Sequence, residues 1–378
     1  MRAATMTSVV EEHLDEARFL RLRRQRVFAV LHGDAAHQRG LERRLDAHLD
    51  ALASDPTAAM PWWEEAVTGR DVHAWYAAAA AWARSDARGA LWARWSGEAP
   101  GDAHREACGD VLWFYGGEAT GLVEDWLRGA DAGLQRVAMA ALVRRGDARC
   151  EALGRWAVSH ADEAMRAEGL HALSVAGAAG AAAWGPSLMA GMADDGLRSG
   201  VIEDTAGLDA AAAMAMARSV EPAALAKVEA AAVLRGIGGT RDDVEALTAA
   251  LAGGASTAVC VGLALAGAVE ALDGLWAQAD DRAVSNALRE AAYVALGDEV
   301  PPAGLGAKTA EDEEEAAARR RENGVLAARM RAVAGAKGRW AGRAAAELSA
   351  RHRRWAGLAA TVERGERWAG DWRGLVGG

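Results

Sequence analysis

Cysteine, proline and the smaller aromatics are scarce in this chain: three Cys, seven Pro, three Phe and three Tyr among 378 residues. Cys108, Cys150 and Cys260 are odd in number and lack C-x-x-C spacing. That pattern argues against a disulfide framework and reads as small buried hydrophobes in a reducing cytoplasm. Little proline and few β-branched runs leave little material for strands. No apolar run approaches the roughly 20 residues of a membrane span, because Arg, Glu and Asp interrupt every alanine tract. The stretch Met1–Glu16 is polar and charged and has no apolar h-region, so no secretory signal is read there and a cytoplasmic protein is expected. Neither G-x-x-x-x-G-K-[ST] nor G-x-S-x-G occurs, and no strand is expected before the glycine-rich stretches, which therefore read as turns.

Alanine, about a quarter of the residues, fills the space those absences leave. It is the strongest helix former, so the class is all-α. The length exceeds one ordinary core, a limit that a repeat array escapes because each unit packs only on its neighbours. Glycine marks such a repeat. Gly116, Gly146, Gly177, Gly207, Gly238, Gly267 and Gly297 stand 30, 31, 30, 31, 29 and 30 residues apart. Each follows a helix-compatible stretch, where a helix C-cap calls for the left-handed backbone that glycine tolerates. Four residues before them stand Leu112, Leu142, Leu173, Glu203, Leu234, Leu263 and Tyr293; one residue before stand Tyr115, Arg145, Ala176, Ala206, Ile237, Ala266 and Leu296. Positions three apart share a helix face, so these columns predict a buried inner stripe. The following helix carries a large residue at Trp126, Trp156, Met216, Leu247 and Trp276.

The expected architecture is a right-handed α-solenoid of about eight HEAT-like helix pairs with helical caps at both ends. Residues 1–55 form the N-terminal cap, amphipathic in Val9–Phe28 and Leu41–Leu52, and 56–300 form the array. Pro301-Pro302-Ala303-Gly304 opens a linker over 301–310, since paired prolines cannot continue a helix. Residues 311–378 form a basic helical C-terminal region.

Charge is uneven along the chain. Ala316–Gly378 holds 14 Lys/Arg against 5 Asp/Glu, so the rest of a chain of net charge −10 carries −19. An acidic body with a basic end suggests an internal clasp or a tail for an acidic partner, and the overall sign argues against nucleic acid as ligand.

Val9–Leu52, with Glu12-His13, Ala17-Arg18-Phe19-Leu20 and the run Leu41–Leu52, resembles the N-terminus of a proteobacterial HEAT-repeat family. That family is largely uncharacterised, is multiplied in myxobacteria, and has members near type VI secretion genes. The repeats are similar to the PBS-lyase-type HEAT repeats of phycobilin lyases. The resemblance implies the solenoid and supplies no catalytic motif. Deoxyhypusine hydroxylase, built from similar repeats, holds two irons with His-Glu dipeptides, and none of the nine histidines here precedes Glu. His32, Asp34 and His37 lie within six residues, in the expected turn between the first two helices, where polar residues need no metal to explain them. Neither a metal nor a cofactor is expected.

Two features stand out as candidate sites. Eight of the fifteen tryptophans fall between Trp62 and Trp126. They read either as filler between alanine-rich helices or as a recognition groove. Adjacent Trp62-Trp63 and the pair Trp92 and Trp95 are expected to be partly exposed, as protein-binding candidates. Glu203 takes a leucine position in the inner column, with Asp204 beside it. Either this helix is loosened and exposes Glu203, or a buried, partnered carboxylate marks a second binding site. The functional expectation is a non-enzymatic scaffold or adaptor for a protein partner, as an accessory of a secretion-type machine. The alternative is a small-ligand binder or accessory enzyme related to bilin lyases, centred on Trp62–Trp126.

Overall fold

A computed structural model of the chain describes residues 2–29, 35–296, 313–335 and 350–364. Among these every regular element is a helix and no strand occurs. No helix among them is long and apolar enough to cross a membrane. The expected linker at 301–310 lies outside the described residues, as do Gly297, Trp340, Trp368 and Trp372.

The chain divides into two compact units. The first, up to Ala172, contains α1 (Arg2–Ala29), α2 (Ala35–Ala53), α3 (Pro56–Thr68), α4 (Val72–Arg84), α5 (Arg88–Gly97), α6 (Arg105–Tyr115), α7 (Thr120–Arg128), α8 (Ala132–Arg144), α9 (Cys150–Ala157) and most of α10 (Glu163–Ala176). Its centre is α4. Asp71 caps this helix by accepting from the His73 and Ala74 amides at 2.9 and 3.1 Å. Every residue from Trp75 to Ala83 is buried, and α1, α2, α3 and α6 pack around it. A helix apolar all round belongs inside, and the alanine run makes that possible at close range. α6 continues the packing from α4 to α8, with α7 against α8.

The second unit runs from Leu173. It contains α11 (Gly185–Ala190), α12 (Asp195–Leu208), α13 (Ala210–Ser219), α14 (Glu229–Gly238), α15 (Arg241–Ala250), α16 (Thr257–Ala266), α17 (Asp273–Trp276), α18 (Arg282–Leu296), α19 (Glu313–Ala332) and α20 (Ala350–Arg364). α12, α14, α16 and α18 each pack on the next, while α13 touches α12 and α14, and α15 touches α14 and α16. α14 and α16 approach until their backbones meet. A Cβ at Gly262 would stand 2.6 Å from the Ala232 carbonyl oxygen, and one at Gly236 would overlap Gly262 itself.

All seven residues of the inner column, Leu112 to Tyr293, are buried. The column one residue before each glycine is mixed: Ala206 and Ile237 are buried and Ala176 is exposed. Of the large residues on the following helices, Trp126, Met216 and Leu247 are buried, but Trp156 is 43% exposed. The glycine ruler needs correction in detail. Gly146, Gly177 and Gly267 have the expected positive φ of 66, 65 and 78°. Gly116 caps α6 at φ −80°, and Gly238 ends α14 one residue before Gly239, which takes the left-handed turn at φ 59°. Gly207 lies inside α12. There Asp209 replaces a glycine turn, donating its amide to the Thr205 carbonyl at 2.7 Å and capping α13 through the Ala211 and Ala212 amides. Gly207 serves close approach instead, since a Cβ there would stand 2.8 Å from the Ser174 hydroxyl.

Part of the basic C-terminal region contacts acidic residues of its own chain. Arg331 pairs with Asp273 at 2.8 Å and Arg320 with Asp280 at 3.4 Å, and the Gly335 amide donates to the Gly267 carbonyl at 2.8 Å. One pair runs the other way, from Arg289 to Glu322 at 2.6 Å. α20 lies on α12, α13 and α14.

Candidate functional site

Three of the four candidate tryptophans are core. Trp63 is fully buried and stacks on Trp82 with ring centroids 5.9 Å apart. Trp92 and Trp95 are buried in edge contact at 5.3 Å, and Trp95 stacks on Trp75 at 5.5 Å and on Trp126 at 6.3 Å. The partial exposure expected at Trp63, Trp92 and Trp95 is therefore absent. The reason is helical geometry: positions 92 and 95 are three apart and share one face of α5, while adjacent residues diverge, leaving Trp62 half-buried. Within Trp62–Trp126, Trp63, Trp75, Trp82, Trp92, Trp95 and Trp126 are buried, while Trp62 and Trp113 are half-buried.

Among the described residues of this unit the exposed aromatics are Phe19 on α1, Phe114 at the end of α6 and Trp156 on α9, and only the α6 end gathers several rings. Trp113-Phe114-Tyr115 are consecutive, so they cannot share one face. Phe114 is 44% exposed and Trp113 half-buried, with rings 4.2 Å apart. Arginines from three other helices line this end. The Arg144 guanidinium lies 5.4 Å over Trp113, Arg84 4.9 Å over Tyr115, and Arg24 6.0 Å over Phe114, while Arg21 lies 4.2 Å over Tyr76. Such cation–π contacts hold ring and guanidinium together and keep long side chains ordered.

Acids anchor the arginines from behind. The buried Asp110 carboxylate accepts from Arg21 and, at 3.1 Å, from Arg144. Arg24 pairs with Glu42, and Arg84 with Asp46 and, at 2.6 Å, Asp50. Burial alone would lower the Arg21 pKa; Asp110 and Tyr76 outweigh it and raise it. Burial also lifts the Glu42 carboxyl above its usual range, only partly offset by Arg24. Arg145 donates to the Leu112 and Trp113 carbonyls, the latter at 3.2 Å, tying the end of α6 to α8. The result is an exposed Phe114 and a half-buried Trp113 backed by ordered arginines, of which Arg21 and Arg24 are buried and Arg84 and Arg144 half-buried. Its one advance signal was the aromatic triplet itself.

Glu203 and Asp204 lie together on α12, and both are buried. The exposed, loosened helix expected as one alternative is not what forms: 196–206 belongs to one regular helix, and Glu203 and Asp204 are buried in it. α20 covers α12, with Trp355 fully buried and Leu358 and Thr361 buried three and six positions on. The chain thus presents two separate candidate places, one in each unit.

The described residues contain no group of three or more His, Cys, Asp or Glu that could hold a metal; His32 and Asp34, and the His37 side chain, lie outside them. All three cysteines are buried free thiols, and burial pushes Cys260 up to about 12, away from thiolate chemistry. His13 and His48 meet at 2.9 Å between their Nδ1 atoms, a hydrogen bond between α1 and α2. Comparison with family models, with curated proteins and with solved structures found no match in any of the three.

Proposed function

We propose that this chain is a non-enzymatic protein-binding scaffold of the α-solenoid kind, with about eight HEAT-like helix pairs. The successive packing of α4, α6 and α8 in one unit and of α12, α14, α16 and α18 in the other supports that reading. So does the resemblance of Val9–Leu52 to the proteobacterial HEAT-repeat family, from which the expectation of a cytoplasmic accessory to a secretion-type machine is carried. One observation favours a protein partner above the rest. Phe114 and Trp113 stand exposed and half-exposed amid anchored arginines, the residue types in which interface energy concentrates. In this reading Trp62 sits at the margin of the aromatic core, and Trp63, Trp92 and Trp95 hold the scaffold.

The test is affinity capture of the full chain from its native host with mass spectrometry, repeated with Phe114→Ala and Trp63→Ala beside melting temperatures. Phe114→Ala should lose a captured protein by about 2 kcal/mol of affinity while its melting temperature stays near wild type. If Phe114→Ala retains every partner, the aromatic end of α6 is not the recognition surface.

A further inference from the structure

The contact between His13 and His48 brings two metal-ligating atoms together from separate helices. α1 and α2 pack on each other, and each contributes one half-buried imidazole. The Nδ1 atoms stand 2.9 Å apart, the ring centroids 5.1 Å apart, and the ring planes are inclined by 59°. A hydrogen bond between two Nδ1 atoms forms in one arrangement of protons, with one ring protonated at Nδ1 and the other bare there. When both rings carry their proton on Nε2, two nitrogen lone pairs face each other. A cation is what such a pair of donors accepts.

The surroundings have the right sign of charge. Glu16, one turn on from His13, and Glu12 both act on the His48 ring, against Arg44. One Glu16 oxygen is shielded from solvent and makes no hydrogen bond, with Arg44 as its ion-pair partner at 3.6 Å. A water on a histidine-bound cation is a donor of the kind such an oxygen takes, and carboxylates commonly surround metal-bound histidines in this way. Burial, and then His13, lowers the His48 pKa, so that ring is neutral and its lone pair is available at pH 7.

The separation also selects among ions. Two metal–nitrogen bonds of about 2.05 Å meeting at about 90° place their nitrogens about 2.9 Å apart, whereas the tetrahedral angle of zinc places them about 3.3 Å apart. A right angle between neighbouring ligands belongs to square-planar and octahedral ions.

We propose that His13 and His48 form a two-imidazole site for a divalent transition ion of the nickel or copper kind, which clips α1 to α2. The two Nδ1 atoms hold the ion and water completes its coordination, so no third side chain is needed. On binding, the proton on the donor ring's Nδ1 passes through solvent to Nε2 of the same ring, and both Nδ1 lone pairs turn to the ion with no net release of protons. The site is separate from the aromatic end of α6 and stands whether or not that end binds a protein.

Calorimetric titration of nickel(II) into the chelator-treated full chain tests it, since nickel(II) leaves the three thiols unoxidised. One equivalent should bind. His13→Gln and His48→Gln should each weaken binding at least about tenfold, because losing even an outer partner of a metal site costs that much. No saturable binding by wild type below about 1 mM overturns the proposal. So does wild-type affinity in either variant when its circular dichroism matches wild type, which would mean an adventitious ion only. A second measurement needs no variant and decides if these misfold. One equivalent of copper(II) on the wild-type chain should give an electron paramagnetic resonance spectrum split by two imidazole nitrogens, and splitting by one nitrogen or none overturns the site.

Discussion

The two units bury alanine-rich helices by opposite means. In the first, large rings fill the space between helices: Trp63 on Trp82, Trp75 on Trp95 and Trp95 on Trp126. In the second, space is removed: Gly236 and Gly262 bring the α14 and α16 backbones together, and Ala230–Ala232 and Ala258 are fully buried around them. Ring filling makes a core sensitive to loss of volume; backbone contact makes one sensitive to its gain. The same alanine-rich composition thus supports two packing regimes, separated by where tryptophan and glycine fall.

Truncation in the first unit is the sharpest way to test this contrast. Trp75 stacks on Trp95 and on His104, and its loss opens a cavity that fixed helices cannot close. Trp75→Ala should destabilise by about 4 kcal/mol in chemical denaturation. The mirror test is Gly236→Val in the second unit, which must push the α14 and α16 backbones apart and should cost about 3 kcal/mol. Should Gly236→Val unfold at the wild-type denaturant midpoint, the close backbone approach is not a constraint and the contrast fails.

Much of the helical frame was legible in the sequence, because alanine content and a 30-residue glycine spacing act locally. The inner column from Leu112 to Tyr293 follows from helix periodicity, and the whole of it is buried. Glycine misled where a second punctuation mark competed: Asp209 both ends α12 and caps α13, so Gly207 had no turn to make. Aspartate is a second ruler, with Asp71, Asp131, Asp162 and Asp194 each accepting from a first-turn amide of an inner helix. The candidate sites were harder. Burial of Trp92 and Trp95 depends on which face of α5 meets α4 and α7, a tertiary fact that adjacency in sequence does not encode. Likewise, burial of Glu203 is set by the helices packed on α12, among them α13 and α14, and no residue type announces that in the sequence. What was readable was the oddity of a carboxylate in a leucine column; that the position is buried was not.

The smallest expected effect separates the units by pH. His48 lies beside His13, with Glu16, Arg44 and Glu12 also acting on it. Burial first, and then the neighbouring His13, lowers its pKa below the ordinary value of 6.5. The folded chain therefore favours neutral His48. Its contribution to stability is complete above about pH 6.5 and falls as the pH drops below that, where the unfolded chain takes up the proton first. In the second unit Asp243 responds at lower pH. Burial would raise its carboxyl, but hydrogen bonds from Arg218 at 2.8 and 3.0 Å and from Thr240 hold it below the carboxylate range. A group so depressed stabilises at every pH above about 4 and is lost only as the pH falls through its folded value. Between pH 7 and 5.5, hydrogen exchange corrected for intrinsic rates should therefore accelerate in α2 and stay flat in α15. His48→Gln should flatten the change in α2. Acceleration in α15 over the same window, or in α2 of the His48→Gln protein, would show that the His13–His48 contact is not what sets the first unit's response.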